Sequence, residues 1–121
     1  MTDEFKQDFD AAIIKHLLFK SRLRSFLYGR PSGEATLRDP QLCELGQWIQ
    51  QKALGPYRHL PESQTLDQAH RQIHQVASEL MDLYDRGQTE QALDGLAQVQ
   101  PIADRITALL RTMEDKMRVS A

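Results

Sequence analysis

Apolar side chains recur at helical spacing along three long segments of the chain. In the first segment they form one broad stripe, which predicts a helix over about residues 3–28. The stripe consists of Phe5, Phe9, Ala12, Ile13, His16, Phe19, Leu23, Phe26 and Leu27. The residues that follow should end this helix, because glycine favours a C-terminal cap and proline cannot continue the hydrogen-bond ladder. These residues are Gly29, Pro31, Ser32 and Gly33.

A short second helix is predicted after this break. Asp39 is a good N-cap residue and Pro40 is tolerated in a first helical turn, so the helix should begin there and hold Cys43 in its first turns. Its apolar positions are Leu42, Leu45, Trp48 and Ile49. An irregular connection containing glycine and proline should follow over residues 55–61.

The helical rhythm continues through two more segments. The third helix should be long and end near Gly87. Its core positions are Leu66, His70, Ile73, Ala77, Leu80 and Tyr84. The fourth helix keeps its phase across Pro101, which favours one kinked helix over two. Its core positions are Ala92, Leu96, Val99, Ala103, Ile106, Leu110, Met113 and Met117.

Three long helices and one short helix, without an alternating strand pattern, predict an all-α fold. We expect an antiparallel four-helix bundle in which the short helix carries the cysteine. The 121 residues should form a single domain over residues 1–121, long enough to bury roughly two thirds of the surface of the unfolded chain.

Composition narrows the class of protein. The formal net charge is −2 and no basic block is present, so nucleic acid is not expected as a partner. No apolar run approaches the roughly 20 residues of a membrane span, and the N-terminus is too polar for a signal peptide. The single cysteine excludes an intrachain disulfide and suits a reducing compartment. We therefore expect a soluble, cytoplasmic protein that does not bind membranes.

Three histidines and the cysteine form a candidate metal site. His70 and His74 are one helical turn apart on the same face and can chelate one ion. His16 and His70 occupy core positions, where an imidazole needs a partner. Cys43 adds a soft ligand from another helix. Three nitrogens and one thiolate favour tetrahedral zinc, and the predicted helix dipole should help to keep the sulfur as thiolate.

Four protein ligands would leave no open position for water or substrate, so hydrolysis is not expected and the protein is interpreted as a non-enzyme. A ferritin-like or haemerythrin-like oxygen site would need several carboxylates in register with His16 and His70, and none is present.

Each of these residues also has an ordinary structural interpretation. Cys43 alone would be a small buried apolar residue, His16 a histidine bonded to a carbonyl, and His74 a solvated surface residue. His59 lies in the irregular connection without a helical partner, and we interpret it as a surface residue. On residue patterns alone, the joint zinc site and the separate structural roles both remain open.

Three sequence runs resemble the chemoreceptor zinc-binding (CZB) domain family. One begins at His16 and ends in Phe26-Leu27-Tyr28-Gly29. The others are Leu42-Cys43-Glu44-Leu45-Gly46-Gln47-Trp48-Ile49 and His70-Arg71-Gln72-Ile73-His74. The resemblance covers nearly the whole chain, and its Cys-x-Leu/Phe-Gly-x-Trp core is quite specific. One departure is Phe19, where many relatives have tryptophan, which should alter the packing beside the site without removing a ligand.

The resemblance implies a four-helix bundle that binds zinc through His16, Cys43, His70 and His74. It also implies a homodimer, to which off-stripe apolar residues such as Leu18 and Leu109 would contribute. Domains of this family attach to bacterial chemoreceptors or diguanylate cyclases. The sequence contains neither a methyl-accepting coiled coil nor a cyclase signature, which is compatible with a free-standing sensor and with part of a larger protein.

These expectations lead to two functional hypotheses. The first is a sensory domain in which zinc, or an oxidant such as hypochlorous acid acting on the zinc-bound thiolate, controls chemotaxis or cyclic-di-GMP synthesis in cis or in trans. The second is a constitutively zinc-stapled dimerisation module. The two differ in whether zinc removal changes the conformation reversibly or simply unfolds the chain.

Overall fold

The computed structural model describes residues 4–30 and 33–120, and these residues contain helices and no strand. The helices are α1 (Glu4–Leu27), α2 (Glu34–Arg38), α3 (Glu44–Trp48) with a π-helical continuation (Ile49–Ala53), α4 (Pro61–Asp85), α5 (Thr89–Asp94) and α6 (Leu96–Ser120). The predicted all-α bundle is confirmed. Among the described residues, no helix is both long and apolar enough to cross a lipid bilayer.

The long helices α1, α4 and α6 form the body of the bundle. The rings of Phe19 and His74 pack together. Seven residues further along α1 and ten residues further along α4, Phe26 packs on Tyr84, so the two helices run in the same direction. α6 runs opposite to them, because Lys116 near its end bonds Glu62 at the start of α4 at 2.8 Å. Residues 33–60, which we call the crossover segment, return along the bundle from the end of α1 to the start of α4.

The end of α1 follows the prediction. Gly29 adopts φ 83°, and the N–H groups of Gly29 and Arg30 donate to carbonyls of the last turn at 2.9 and 3.0 Å. These two bonds form the glycine-dependent Schellman motif. Gly33 also has a positive φ of 72° and directly precedes α2. Pro31 and Ser32 lie outside the described residues.

The predicted start of the second helix at Asp39 and Pro40 is wrong. Asp39 is the C-cap residue of α2, a helix that the pattern did not predict. Its Oδ1 accepts the N–H of Gln41 at 2.9 Å, which makes an Asx turn instead of a helix cap. α3 begins at Glu44, and Cys43 is its N-cap residue. The cysteine therefore joins a turn to a short helix and does not lie inside the helix.

The predicted single fourth helix is also wrong, because the chain divides at Gly95 into α5 and α6. A Cβ at Gly95 would collide with Leu80 of α4, so glycine permits a close approach there. Gln98 then donates its N–H to the carbonyl of Gly95 at 2.9 Å in a tight turn. Pro101, where the kink was expected, lies within α6, which continues across it.

The core lies between the three long helices, and the crossover segment covers it on one side. The largest fully buried side chains are Phe9, Leu23, Leu27, Leu37, Leu45, Ile49, Leu66, Ile73, Met81, Ile106, Leu110 and Met113. Three of these, Leu37, Leu45 and Ile49, belong to the crossover segment. The segment is therefore anchored in the same core as the long helices, and it brings Cys43 against them.

Candidate metal centre

The four predicted ligands are all buried, although they come from three separate parts of the chain. His16 lies midway along α1, Cys43 precedes α3, and His70 and His74 lie one turn apart on α4. Their exposed fractions are 1%, 6%, 2% and 1%, respectively. The surface interpretation of His74 is therefore wrong, whereas His59 is exposed as predicted. Imidazole side chains buried to this degree need hydrogen-bond partners or a bound ion.

Three of the four residues form a compact cluster. The donor atoms of Cys43, His70 and His74 all lie within 4.8 Å of one another. The two imidazoles face each other, with Nε2 of His70 3.0 Å from Nε2 of His74. Two nitrogens bound to one tetrahedral zinc ion would be about 3.3 Å apart. The cluster is therefore close to the arrangement that a zinc ion requires.

His16 lies beside this cluster but outside the group of three. It is near enough that its charge helps to lower the pKa of His70. Its Nε2–H donates to the carbonyl oxygen of Ala103 on α6 at 3.1 Å, as the structural interpretation of this residue proposed. Its other ring nitrogen, Nδ1, is buried and has no hydrogen-bond partner. With the proton on Nε2, Nδ1 carries a free lone pair, as a metal ligand must.

The two ring nitrogens of His74 have the same two roles, one as a hydrogen-bond donor and one with a free lone pair. Its Nδ1–H donates to the carbonyl oxygen of Leu37 at 2.7 Å, which leaves Nε2 with the lone pair that faces His70. Metal-binding histidines usually donate their second ring N–H to a carbonyl or a carboxylate, which fixes the tautomer and the ring orientation. The residues present therefore fit a zinc ion, with Nδ1 of His16 and Nε2 of His74 available as donors.

Burial sets the protonation state of the histidines. Desolvation lowers the pKa of His16, His70 and His74, and the neighbouring His74, His16 and Arg71 help to bring the pKa of His70 to about 3. Hydrogen bonding to Leu37 and the charge of Asp39 oppose this effect at His74. Neutral imidazole is the form that binds metals. At neutral pH, zinc would therefore not have to compete with a second proton on these rings.

The pKa of Cys43 differs from the expectation that a helix terminus would help to keep the sulfur as thiolate. Burial raises the pKa of the Cys43 thiol, and the backbone N–H groups of Gly46 and Leu45 only partly oppose the rise. The helix-terminus effect that the sequence predicted is therefore present but smaller than the cost of burying a thiolate. A cation bound in the cluster would supply the missing compensation, because coordination stabilises the thiolate and the thiol proton is released to solvent.

The packing around Gly46 explains why the cysteine motif contains a glycine at this position. A Cβ at this position would overlap the carbonyl oxygen of Pro40 and lie 2.9 Å from Cε1 of His70. Glycine thus lets α3 approach both the turn before it and the ring of His70 on α4. The role of Gly46 could not be predicted from the sequence motif, since only the packing reveals the close approach.

Phe19 forms a wall of the centre, because its ring lies 4.6 Å from the ring of His74. Its position beside the site agrees with the expectation drawn from the tryptophan of many relatives. Among residues 4–30 and 33–120, Cys43, His70 and His74 form the one group of three histidine, cysteine or acidic residues that could hold a metal ion.

A helical bundle with a buried cluster of histidine and cysteine side chains is typical of a metal-binding domain. The family model for the chemoreceptor zinc-binding domain, CZB, matches residues 16–81, more than half of the chain. The chain belongs to this family, which binds zinc and occurs in signalling proteins. Comparisons with curated proteins and with solved structures found no match.

Proposed function

We propose that the chain is a sensory domain in which one zinc ion, bound by His16, Cys43, His70 and His74, sets the packing of the bundle and thereby controls a bacterial signalling protein. The observation that carries this proposal is the buried cluster of Cys43, His70 and His74. The unpartnered Nδ1 of His16 supports a fourth ligand. Four protein ligands favour regulation over catalysis, since no coordination position remains for a substrate.

The positions of the ligands explain how the metal would control conformation. The zinc ion would join α1, the crossover segment and α4, and the bond from His16 to Ala103 extends the connection to α6. Zinc in structural sites contributes about 10 kcal/mol or more, which is comparable with the total folding free energy of a typical domain. Loss of the ion would therefore loosen contacts between all the main elements.

The input of the proposed sensor is either the zinc concentration or an oxidant that attacks the zinc-bound thiolate. The output is a chemoreceptor or a diguanylate cyclase, in the same chain or in a docked partner. These assignments follow from the family, whose members act in signalling proteins. We place the domain in the cytoplasm, where reducing conditions preserve the thiol of Cys43.

Removal of zinc should change the tertiary structure reversibly. Trp48 is the single tryptophan, is buried, and lies close to Cys43 in sequence. Its fluorescence should change when a chelator removes zinc, and it should recover when zinc is restored, while the helical circular dichroism remains nearly constant. If the chelator abolishes the helical signal, zinc is a constitutive staple and the sensory proposal is wrong.

We also propose that the domain forms a homodimer through α1. Ile14, Leu17 and Leu18 lie on one face of this helix and are 59%, 54% and 41% exposed. Leu109, the other residue expected at the interface, packs partly against the core and contributes less. Burial of adjacent apolar side chains favours association, so Leu17→Lys should convert the dimer to a monomer.

The dimer can be measured by sedimentation at micromolar concentration. Val119→Lys is the matched control, since Val119 is also apolar and is 87% exposed but lies at the far end of α6. This control should remain dimeric. A monomeric wild-type protein, or equal dissociation by the two variants, would contradict the interface on α1.

A further inference from the structure

The short helix α2 contacts the metal centre from outside the ligand shell. Its residue Leu37 is 1% exposed, so this part of α2 is packed into the core. The carbonyl oxygen of Leu37 accepts the Nδ1–H of His74 at 2.7 Å. This bond determines which ring nitrogen of His74 carries the proton, and hence which nitrogen is free to bind a metal.

A helix of five residues does not maintain its own position. One helical turn is unstable in isolation, because helix nucleation is unfavourable and so short a helix forms few stabilising hydrogen bonds. The N-cap residue of α2 is Gly33, which has no side chain and therefore cannot cap the helix with a side-chain hydrogen bond. The placement of the Leu37 carbonyl must therefore depend on the tertiary contacts of α2.

Arg38 supplies the polar part of these contacts. Its Nη1 donates to Oδ1 of Asp82 at 2.9 Å and lies 3.4 Å from the carbonyl oxygen of Ser78, and its Nη2 donates to Oδ2 of Asp85 at 3.2 Å. All three acceptors belong to the last turns of α4. A planar guanidinium can bridge several acceptors in this way, whereas an ammonium acts as a single point charge.

We propose that Arg38 is a positioning residue for the metal centre, because it fastens α2 to α4 and so holds the Leu37 carbonyl against Nδ1 of His74. The inference rests on the proposed function in that it takes His74 as a zinc ligand. Arg38 itself touches no ligand and acts only through the adjacent peptide group. The same helix α4 then carries both His74 and the acidic residues that receive Arg38.

The test compares Arg38→Gln with Arg118→Gln. Arg118 is the matched control, since it forms ion pairs with Glu114 and Asp115 of its own helix and makes no bond to α2 or α4. Zinc affinity is measured by competition with a chromogenic chelator. Arg38→Gln should lower the affinity about tenfold, as loss of an outer-shell partner does, and Arg118→Gln should keep the wild-type value.

Nitrogen NMR of His74 in the zinc-free protein provides a second readout. The wild-type ring should carry its proton on Nδ1, whereas Arg38→Gln should give a mixture of the two tautomers. Asp82→Asn combined with Asp85→Asn should reproduce both effects, and adding Arg38→Gln to this pair should cause little further loss. If Arg38→Gln fails to fold, Arg38→Lys should give a smaller loss of affinity and a smaller tautomer change.

Unchanged zinc affinity and an unchanged His74 spectrum in Arg38→Gln would overturn the inference, even if the variant unfolds at lower urea concentration. A wild-type chain that binds no zinc would contradict the proposed function instead. The tautomer of His74 would still decide whether Arg38 positions the ring in that case.

Discussion

Alanine at Cys43 or at His70 should leave the purified protein with little zinc, whereas the wild-type chain should carry close to one ion per chain. Each substitution removes one donor of the cluster and leaves the others buried without compensation. His59→Ala is the control, because this histidine is exposed and belongs to no cluster in the described part of the chain. Metal content is measured after purification without added zinc.

The same variants should lose much of their stability. The zinc contribution of about 10 kcal/mol or more is similar to the 5–15 kcal/mol that separates typical folded and unfolded domains. The metal-free variants should keep most of their helical structure in buffer but unfold at far lower urea concentration than wild type, and His59→Ala should resemble wild type. Equal zinc content in all three variants would disprove the ligand assignment.

Much of this candidate centre could be predicted because two of its proposed ligands break the apolar pattern. His16 and His70 occupy stripe positions where an apolar side chain is expected, and both are buried in the structure. His74 follows from helical geometry, since it lies one turn from His70. Cys43 could be assigned to the candidate site because a thiolate is a good zinc ligand and because the residue lies in the family motif. In the structure, Cys43 lies close to the two histidines of α4.

The particular carbonyls that bond the histidines could not be predicted, because every residue possesses a carbonyl group. The carbonyl oxygens of Leu37 and Ala103 orient two of the rings, and no residue type is required for a carbonyl. α2 could not be predicted, because a helix of five residues is too short to show a periodic pattern of apolar positions. Gly95 divides the last helices through its contact with Leu80, which is distant in sequence.

The site also offers a chemical route for an oxidant. Cys43 is 6% exposed and borders a small cavity of about 10 Å³ that is also lined by Lys15, Arg22 and Glu44. The thiolate is the one soft, oxidisable donor of the set, and its conversion to sulfenic acid would weaken one of four bonds while the histidines remain intact.

A near-stoichiometric pulse of hypochlorous acid should therefore oxidise Cys43 before the methionines and release zinc. Met81 and Met113 are fully buried, and Met117 is the more accessible competitor on α6. Mass spectrometry identifies the oxidised residue, and a colorimetric chelator follows the zinc. Reduction should restore zinc binding if the product is sulfenic acid, because higher oxidation states do not revert.

Two comparisons separate this mechanism from general oxidative damage. Hydrogen peroxide should act far more slowly, because a metal-bound thiolate has its charge partly neutralised and reacts poorly with a weak electrophile. Cys43→Ser should abolish the oxidant-specific release even where residual zinc binds, whereas Met117→Leu should leave the release unchanged. If zinc stays bound while Cys43 remains unmodified and methionine sulfoxide accumulates, the oxidant hypothesis is wrong, and the zinc concentration is the remaining input for a sensor built on this site.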